Sequence, residues 1–198
     1  MKHLKKLGLL VIAAVSLMAF AGSASAAPVL TSPAGTEYTG TIHATLEPGT
    51  SLLLKAGVLE WTCAESTMHG IVTVNNTTHA EIPLSAAGFP QTGLSFGKCT
   101  KDIAVITPGK LTISDTGTVF TTETRLEIKD KFFGFTCFYG AEATPVDIGK
   151  LTASTPATLD INTTELKRLP GSAVSFCGAT GTWTGAYLVT TPASLFIT

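Results

Sequence analysis

Charge is what this sequence has least of. Asp, Glu, Lys and Arg together make up 14% of its 198 residues, well below the ~25% usual for soluble domains, so its polar faces must be built from Thr, Ser and Gly. Lys and Arg form no cluster after the first few positions, which removes the electrostatic footprint a nucleic-acid-binding surface needs. Closely spaced cysteines are also missing: Cys63, Cys99, Cys137 and Cys177 contain no C-x-x-C pair, and zinc or thiol-redox sites favour such pairs. No long stretch carries a helical period. No G-x-S-x-G elbow, H-E-x-x-H helix, phosphate-cradling glycine loop or EF-hand ligand series occurs, so no reaction class is nominated by motif.

What is present begins with a leader. Lys2, Lys5 and Lys6 precede an apolar segment, Leu7 to Phe20, interrupted only by Gly8 and Ser16, and Ala24-Ser25-Ala26 places small residues where a signal peptidase requires them. The apolar run is shorter than the ~20 residues that span a bilayer. The pattern predicts a cleavable signal peptide over residues 1–26, bacterial Sec export, and a single domain over 27–198 with no membrane span after cleavage. After Ala26, fourteen acids face ten bases, a net charge of −4 with His neutral.

Four cysteines in an exported chain read as two disulfides, because the destination is oxidising. Three pairings are possible. Local closure favours Cys63 with Cys99 and Cys137 with Cys177, each closing a loop of about 40 residues worth ~4 kcal/mol in the chain-entropy model.

Two-residue alternation runs through the remainder. Tyr38, Ile42, Ala44 and Leu46 alternate with Thr39, Thr41, His43 and Thr45; Leu59-Trp61-Cys63, Ala80-Ile82-Leu84, Leu111-Ile113, Leu126-Ile128 and Leu159-Ile161 repeat the pattern. Phe133, Phe135, Cys137 and Tyr139 are expected to share one face, as are Trp183, Gly185, Tyr187 and Val189. Turn signals separate the runs at Pro48-Gly49, Asn75-Asn76, Gly88-Phe89-Pro90, Pro108-Gly109, Asp115-Thr116-Gly117 and Pro170-Gly171. One helical turn is allowed for at Thr164 to Arg168. The expectation is an all-β protein, an antiparallel β-sandwich of Ig-like or Greek-key type with two disulfides. A membrane β-barrel would carry aromatic girdles at both interfaces, and Phe, Trp and Tyr make up only 8% of the chain.

Candidate chemistry is sparse. His43, His69 and His79 stand on separate segments and read as unrelated surface residues rather than metal ligands. Glu60 and Glu65 flank Trp61 and Cys63, as paired acids of a glycosidase cleft would, but solvated strand and turn positions are the stronger reading. Trp61, Trp183 and Tyr187 are suspects for a ligand platform, with core packing the stronger reading. The Asn-x-Thr sequons at Asn75, Asn76 and Asn162 read as turn and strand-edge residues in a bacterial chain.

The series Trp61-Thr-Cys63-Ala-Glu-Ser66, Leu94-Ser-Phe96-Gly-Lys-Cys99, Phe135-Thr-Cys137-Phe-Tyr139-Gly140 and Phe176-Cys177 through Trp183 and Tyr187 to Pro192 resembles a group of small secreted actinobacterial proteins with four cysteines and no assigned function. The resemblance covers most of the chain after Ala26, and Gly178 stands where that group favours proline. It implies the four-cysteine layout and export, and it carries no catalytic, cofactor or binding residue. The functional expectation is therefore an exported, non-enzymatic β-domain with a structural, adhesive or binding role at the cell envelope or outside the cell, with a cell-wall, glycan or protein partner and no cofactor. The alternatives are a secreted polysaccharide-acting hydrolase, or a pilin-like subunit in which Thr36 to Leu46 would be a donor strand.

Overall fold

Alternating Thr-rich sequence becomes paired strand wherever one face can be buried. The computed structural model describes residues 27–57, 59–84 and 93–198, apart from the side chain of Thr164. The expected leader and the turn expected at Gly88-Phe89-Pro90 lie outside the described residues. The strands are β1 (Leu30–Thr31), β2 (Thr41–Leu46), β3 (Leu52–Ala56), β4 (Leu59–Ile71), β5 (Val74–Asn75), β6 (His79–Pro83), β7 (Leu94–Cys99) and β8 (Asp102–Thr107). They continue with β9 (Lys110–Ser114), β10 (Thr118–Thr122), β11 (Thr124–Asp130), β12 (Phe135–Ala141), β13 (Val146–Thr152), β14 (Thr158–Arg168), β15 (Thr180–Thr191) and β16 (Phe196–Ile197). Every pairing between them is antiparallel. The fold is all-β with disulfides Cys63–Cys99 and Cys137–Cys177, consistent with the expected sandwich.

Three long strands organise it. β4 pairs with β3 through Leu59–Cys63 and with β2 through Thr67–Ile71. β15 pairs with β3 through Thr182–Thr184 and with β2 from Tyr187 onward. β14 pairs with β13 over Thr158–Ile161 and with β12 at Lys167 and Arg168. Short strands thus lie end to end between long ones, and the molecule has two lobes that share β4, β14 and β15.

In lobe one the pairings form a circuit: β2, β4 running on into β5, β6, β9, β10, β13, β14, β15 and back to β2. Its interior is packed by Ala44, Met68, Ile82, Leu111, Val119 and Val189, all buried, and leaves about 20 Å³ of free space. The close approach of β4 to β6 needs Gly70, where a Cβ would lie 2.6 Å from Ile82 Cγ2 and from the Pro83 carbonyl. β1 and β16 form a separate two-stranded sheet, with Leu195 lining the same interior. Asn75 ties this end together by hydrogen bonds to the Leu30 N–H and to the Leu30 and Tyr38 carbonyls.

Lobe two contains β3, β7, β8, β11 and β12 with the other halves of the long strands. Trp61, Leu54, Leu126, Ile128, Tyr139 and Trp183 fill it. Among the described residues the circuit stops here: β7 pairs only with β4, and β8 only with β11. Both disulfides belong to this lobe. Cys63–Cys99 joins β4 to the end of β7, directly across a cross-strand pair, and Cys137–Cys177 joins β12 to the loop before β15.

Where a long strand passes between lobes its inward face changes. In β4 the buried positions run Trp61 and Cys63, then Ser66 and Met68, with Ala64 and Glu65 both exposed. In β14 the register shifts between Thr163 and Leu166. An extra residue at such a point moves the later side chains to the other face. At the crossing, Tyr187 donates its hydroxyl to Ser66 Oγ at 2.9 Å, and Ser66 Oγ donates to the Ser95 carbonyl at 2.8 Å. Burial pushes the Tyr187 phenol far above its ordinary range, with the Ser66 contact opposing that only in part.

Three expectations are corrected. Thr164 to Arg168 belongs to β14 and is not a helical turn, because a paired strand on either side satisfies that backbone. Tyr38 precedes β2 rather than joining it; the chain bends at Gly40 and the Tyr38 hydroxyl turns back to the Thr41 carbonyl. Phe133 is not on the face of Phe135, Cys137 and Tyr139, since residues 131–134 form a turn and Phe133 is 62% exposed.

Candidate functional site

The residues first suspected of chemistry are scattered or occupied. Trp61, Trp183 and Tyr187 are 1%, 2% and 0% exposed, so none of them is a surface platform. Trp183 packs edge-on against Phe96 with ring centroids 5.8 Å apart. Glu60 pairs with Lys55 at 3.0 Å and Glu65 pairs with Lys98, all four side chains being largely exposed; the two acids serve separate surface ion pairs and share no cleft. His43 and His69, read as unrelated, are brought together as cross-strand partners with ring centroids 5.9 Å apart. His79 lies on β6, beside Glu81. Among the described residues no group of three or more His, Cys, Asp or Glu could hold a metal ion. Asn75 sits in β5, Asn162 in β14, and the Asn76 side chain caps its own turn through the Thr78 and His79 N–H groups. The four cysteines, Cys63, Cys99, Cys137 and Cys177, are all consumed in the two bridges.

The surface is unusual at one end of lobe two. Phe132, Phe133, Val174 and Phe176 are 83%, 62%, 70% and 55% exposed. Large apolar side chains so displayed cost solubility and mark interaction surfaces when contiguous. Contiguity comes from the rings: Phe132 meets Phe133 edge-on at 4.9 Å, Phe133 stacks on buried Phe135 at 6.3 Å, and Phe135 stacks on Phe176 at 5.0 Å with an interplanar angle of 3°.

The turn that holds Phe132 and Phe133 outward is built by Asp130, the last residue of β11. Its Oδ1 accepts the N–H of Phe132 at 2.9 Å and of Phe133 at 3.1 Å; its carbonyl accepts the N–H of Gly134 at 2.9 Å. Gly134 has φ +70°, which favours glycine. Asp130 Oδ2 faces Lys101 Nζ at 3.0 Å. The carboxylate is 4% exposed, covered by its turn and by Lys101. The Phe133 N–H, then Lys101, therefore dominate over desolvation and hold the carboxyl below the ordinary range. A second loop supplies Val174 and Phe176: the N–H groups of Phe176 and Cys177 both bond the Ala173 carbonyl, Arg168 reaches the Cys177 carbonyl at 2.7 Å, and the bridge to Cys137 anchors the whole.

Beside this tip β7 and β8, joined by the turn at Thr100-Lys101 but forming no ladder with each other among the described residues, leave an open depression of about 520 Å³, with Phe96, Ile103, Lys98 and Lys129 among its lining residues. The turn is pinned to the tip by Lys101–Asp130 and by Lys131–Asp102 at 2.6 Å. A smaller depression of about 310 Å³ lies at the split between β12 and β13, with Glu142, Val146, Asp147, Glu165 and Lys167 among its lining residues. Among the described residues the free spaces inside the two lobes, about 20 Å³ and about 10 Å³, are too small to admit a ligand.

Sequence reasoning looked to Trp and Tyr and missed the phenylalanines. The available signal was Asp130-Lys-Phe-Phe-Gly134: an Asp and a Gly bracketing a turn between two strands, with two aromatics at its apex.

Compared with family models, with curated proteins and with solved structures, the chain matches none.

Proposed function

We propose that the chain is an exported, non-enzymatic β-domain, matured by removal of residues 1–26 and belonging with the four-cysteine actinobacterial proteins it resembles, which acts at the cell envelope or outside the cell by binding. The observation that carries this reading is the aromatic tip. A turn fixed by three hydrogen bonds to Asp130 and a loop fixed by a disulfide hold apolar side chains in water, where folding alone would gain from burying them. The disulfides suit an oxidising extracytoplasmic compartment. No helix among the described residues is long and apolar enough to cross a membrane. Thr41–Leu46 is inserted between β4 and β15 of its own chain, which supports an ordinary strand over a pilin donor.

The test compares the mature protein with a Phe132→Ser/Phe133→Ser variant, matched by circular dichroism, for retention on cell-wall polysaccharide, phospholipid vesicles and immobilised envelope protein. Retention that the variant loses supports binding through the tip. A parent retained by none of the three, retention unchanged in the variant, or glycan hydrolysis by the parent overturns the reading.

A further inference from the structure

We propose that the surface the tip binds is an anionic lipid interface, with Phe132, Phe133, Val174 and Phe176 entering the headgroup region. This rests on the binding role proposed above and names its partner.

Three observations distinguish lipid from a glycan or a protein epitope. The first is ring orientation. Phe135 and Phe176 spend their faces on each other at 3° and 5.0 Å, and Phe133 lies nearly parallel to Phe135. A sugar-stacking platform presents flat faces side by side to solvent; here Phe135 and Phe176 turn faces to each other and Phe132 meets Phe133 edge-on, an arrangement that suits a medium making no directional demand.

The second is hydrogen bonding. Backbone polar groups entering an apolar medium must already be satisfied. The N–H groups of Phe132, Phe133, Gly134, Phe176 and Cys177 are all bonded within the chain. A loop built to read a sugar or a peptide would leave such donors pointing at its partner.

The third is charge. Lys101, Lys129, Lys131 and Arg168 surround the tip, with Asp102, Glu127 and Asp130 as their local counter-charges. Four bases thus face three acids here. The rest of the chain after Ala26 holds six bases and eleven acids, so the tip is the locally cationic end of an acidic domain. Lys131 and Lys129 are 81% and 52% exposed and long enough to lay their stems along the apolar rim with the ammonium at headgroup level. An anionic surface attracts that end and repels the remainder, orienting the molecule before the phenylalanines enter.

The experiment uses the mature protein with vesicles of phosphatidylcholine alone and of equal parts phosphatidylcholine and phosphatidylglycerol. Co-sedimentation is expected with the anionic vesicles, weakened by added salt, roughly fivefold weaker for Lys131→Gln and about tenfold or more for Phe132→Ser/Phe133→Ser. Because both native tryptophans are buried, a Phe132→Trp variant supplies a clean reporter: its emission should shift to the blue with anionic vesicles and be quenched by brominated acyl chains. No co-sedimentation, co-sedimentation indifferent to the double variant, or emission that stays at the water-exposed wavelength overturns the lipid assignment. If polysaccharide or envelope protein instead retains the parent and not the double variant, binding through the tip stands and the lipid partner alone falls. If no retention depends on Phe132 and Phe133, both fall.

Discussion

The two lobes share three long strands and differ in how their circuits end. In lobe one, β2 leads through β4, β5 and β6 round to β15 and back, a circuit that closes where β4 runs on through Val72 and Thr73 into β5. In lobe two the pairings stop at β7 and β8, and covalent bonds stand where hydrogen bonds would: Cys63–Cys99 fixes the last residue of β7 to β4, and Cys137–Cys177 fixes the loop at the tip. All the exposed large hydrophobic side chains among the described residues, Ile106 included, also lie on lobe two. An open edge and a displayed apolar surface are liabilities in a soluble protein. That they fall together in the lobe that is stapled shows one way a small domain can hold an interaction surface without closing over it.

Reduction tests the comparison most severely. Replacing all four cysteines by serine should cost about 2–5 kcal/mol per bridge, and hydrogen exchange should show β8, β11 and β12 losing protection while β9, β10 and β13 keep theirs. A single transition that takes both lobes together would break the distinction between a hydrogen-bonded and a stapled lobe. Trp183→Ala comes next. Trp183 is buried on a shared strand opposite Leu54 of β3 and against Phe96 of β7, so its loss should lower the denaturant-derived stability by about 3–5 kcal/mol, with lobe-two amides exchanging first. An unchanged midpoint would mean that the Trp183 site is not core.

Acid should act more locally. The folded-state pKa of Asp130 is depressed, so its contribution is fully present above the unfolded-state value of ~3.9 and is lost as pH falls through the lower folded value. The amide resonances of Phe132 and Phe133 should report release of the turn in that acid range, while amides of lobe one stay still; a turn unmoved at the lowest pH at which the protein is folded would show that Asp130 does not hold it. The smallest effect is expected from Phe132→Ser. At 83% exposure it should change stability by no more than about 0.5 kcal/mol, and a larger loss in the thermal midpoint would mean that the tip serves folding rather than binding.

Strand positions, the all-β class and the cysteine pairing were legible because each depends on residues close in sequence: alternation is read two positions at a time, and each bridge closes a local stretch. The same local logic misread Phe133, whose spacing from Phe135, Cys137 and Tyr139 is that of a strand face. The candidate site was illegible for that reason. Phe132 and Phe133 look no less like core than Phe135, and nothing in the alternation says that the Asp130 carboxylate will take their N–H groups and end the strand before them.

By itself, then, the chain determined which segments pair as strands and which thiols meet, since backbone geometry and loop closure act over short separations. Tertiary structure alone decided that β2 and β3 would lie end to end between β4 and β15, that one circuit would close and the other stop at β7 and β8, and that His43 would face His69. It also decided which phenylalanines remain in water. Those outcomes depend on where a long strand changes its inward face, at Ala64-Glu65 and between Thr163 and Leu166, and such a change is set by the strands packed on either side, which local sequence does not specify.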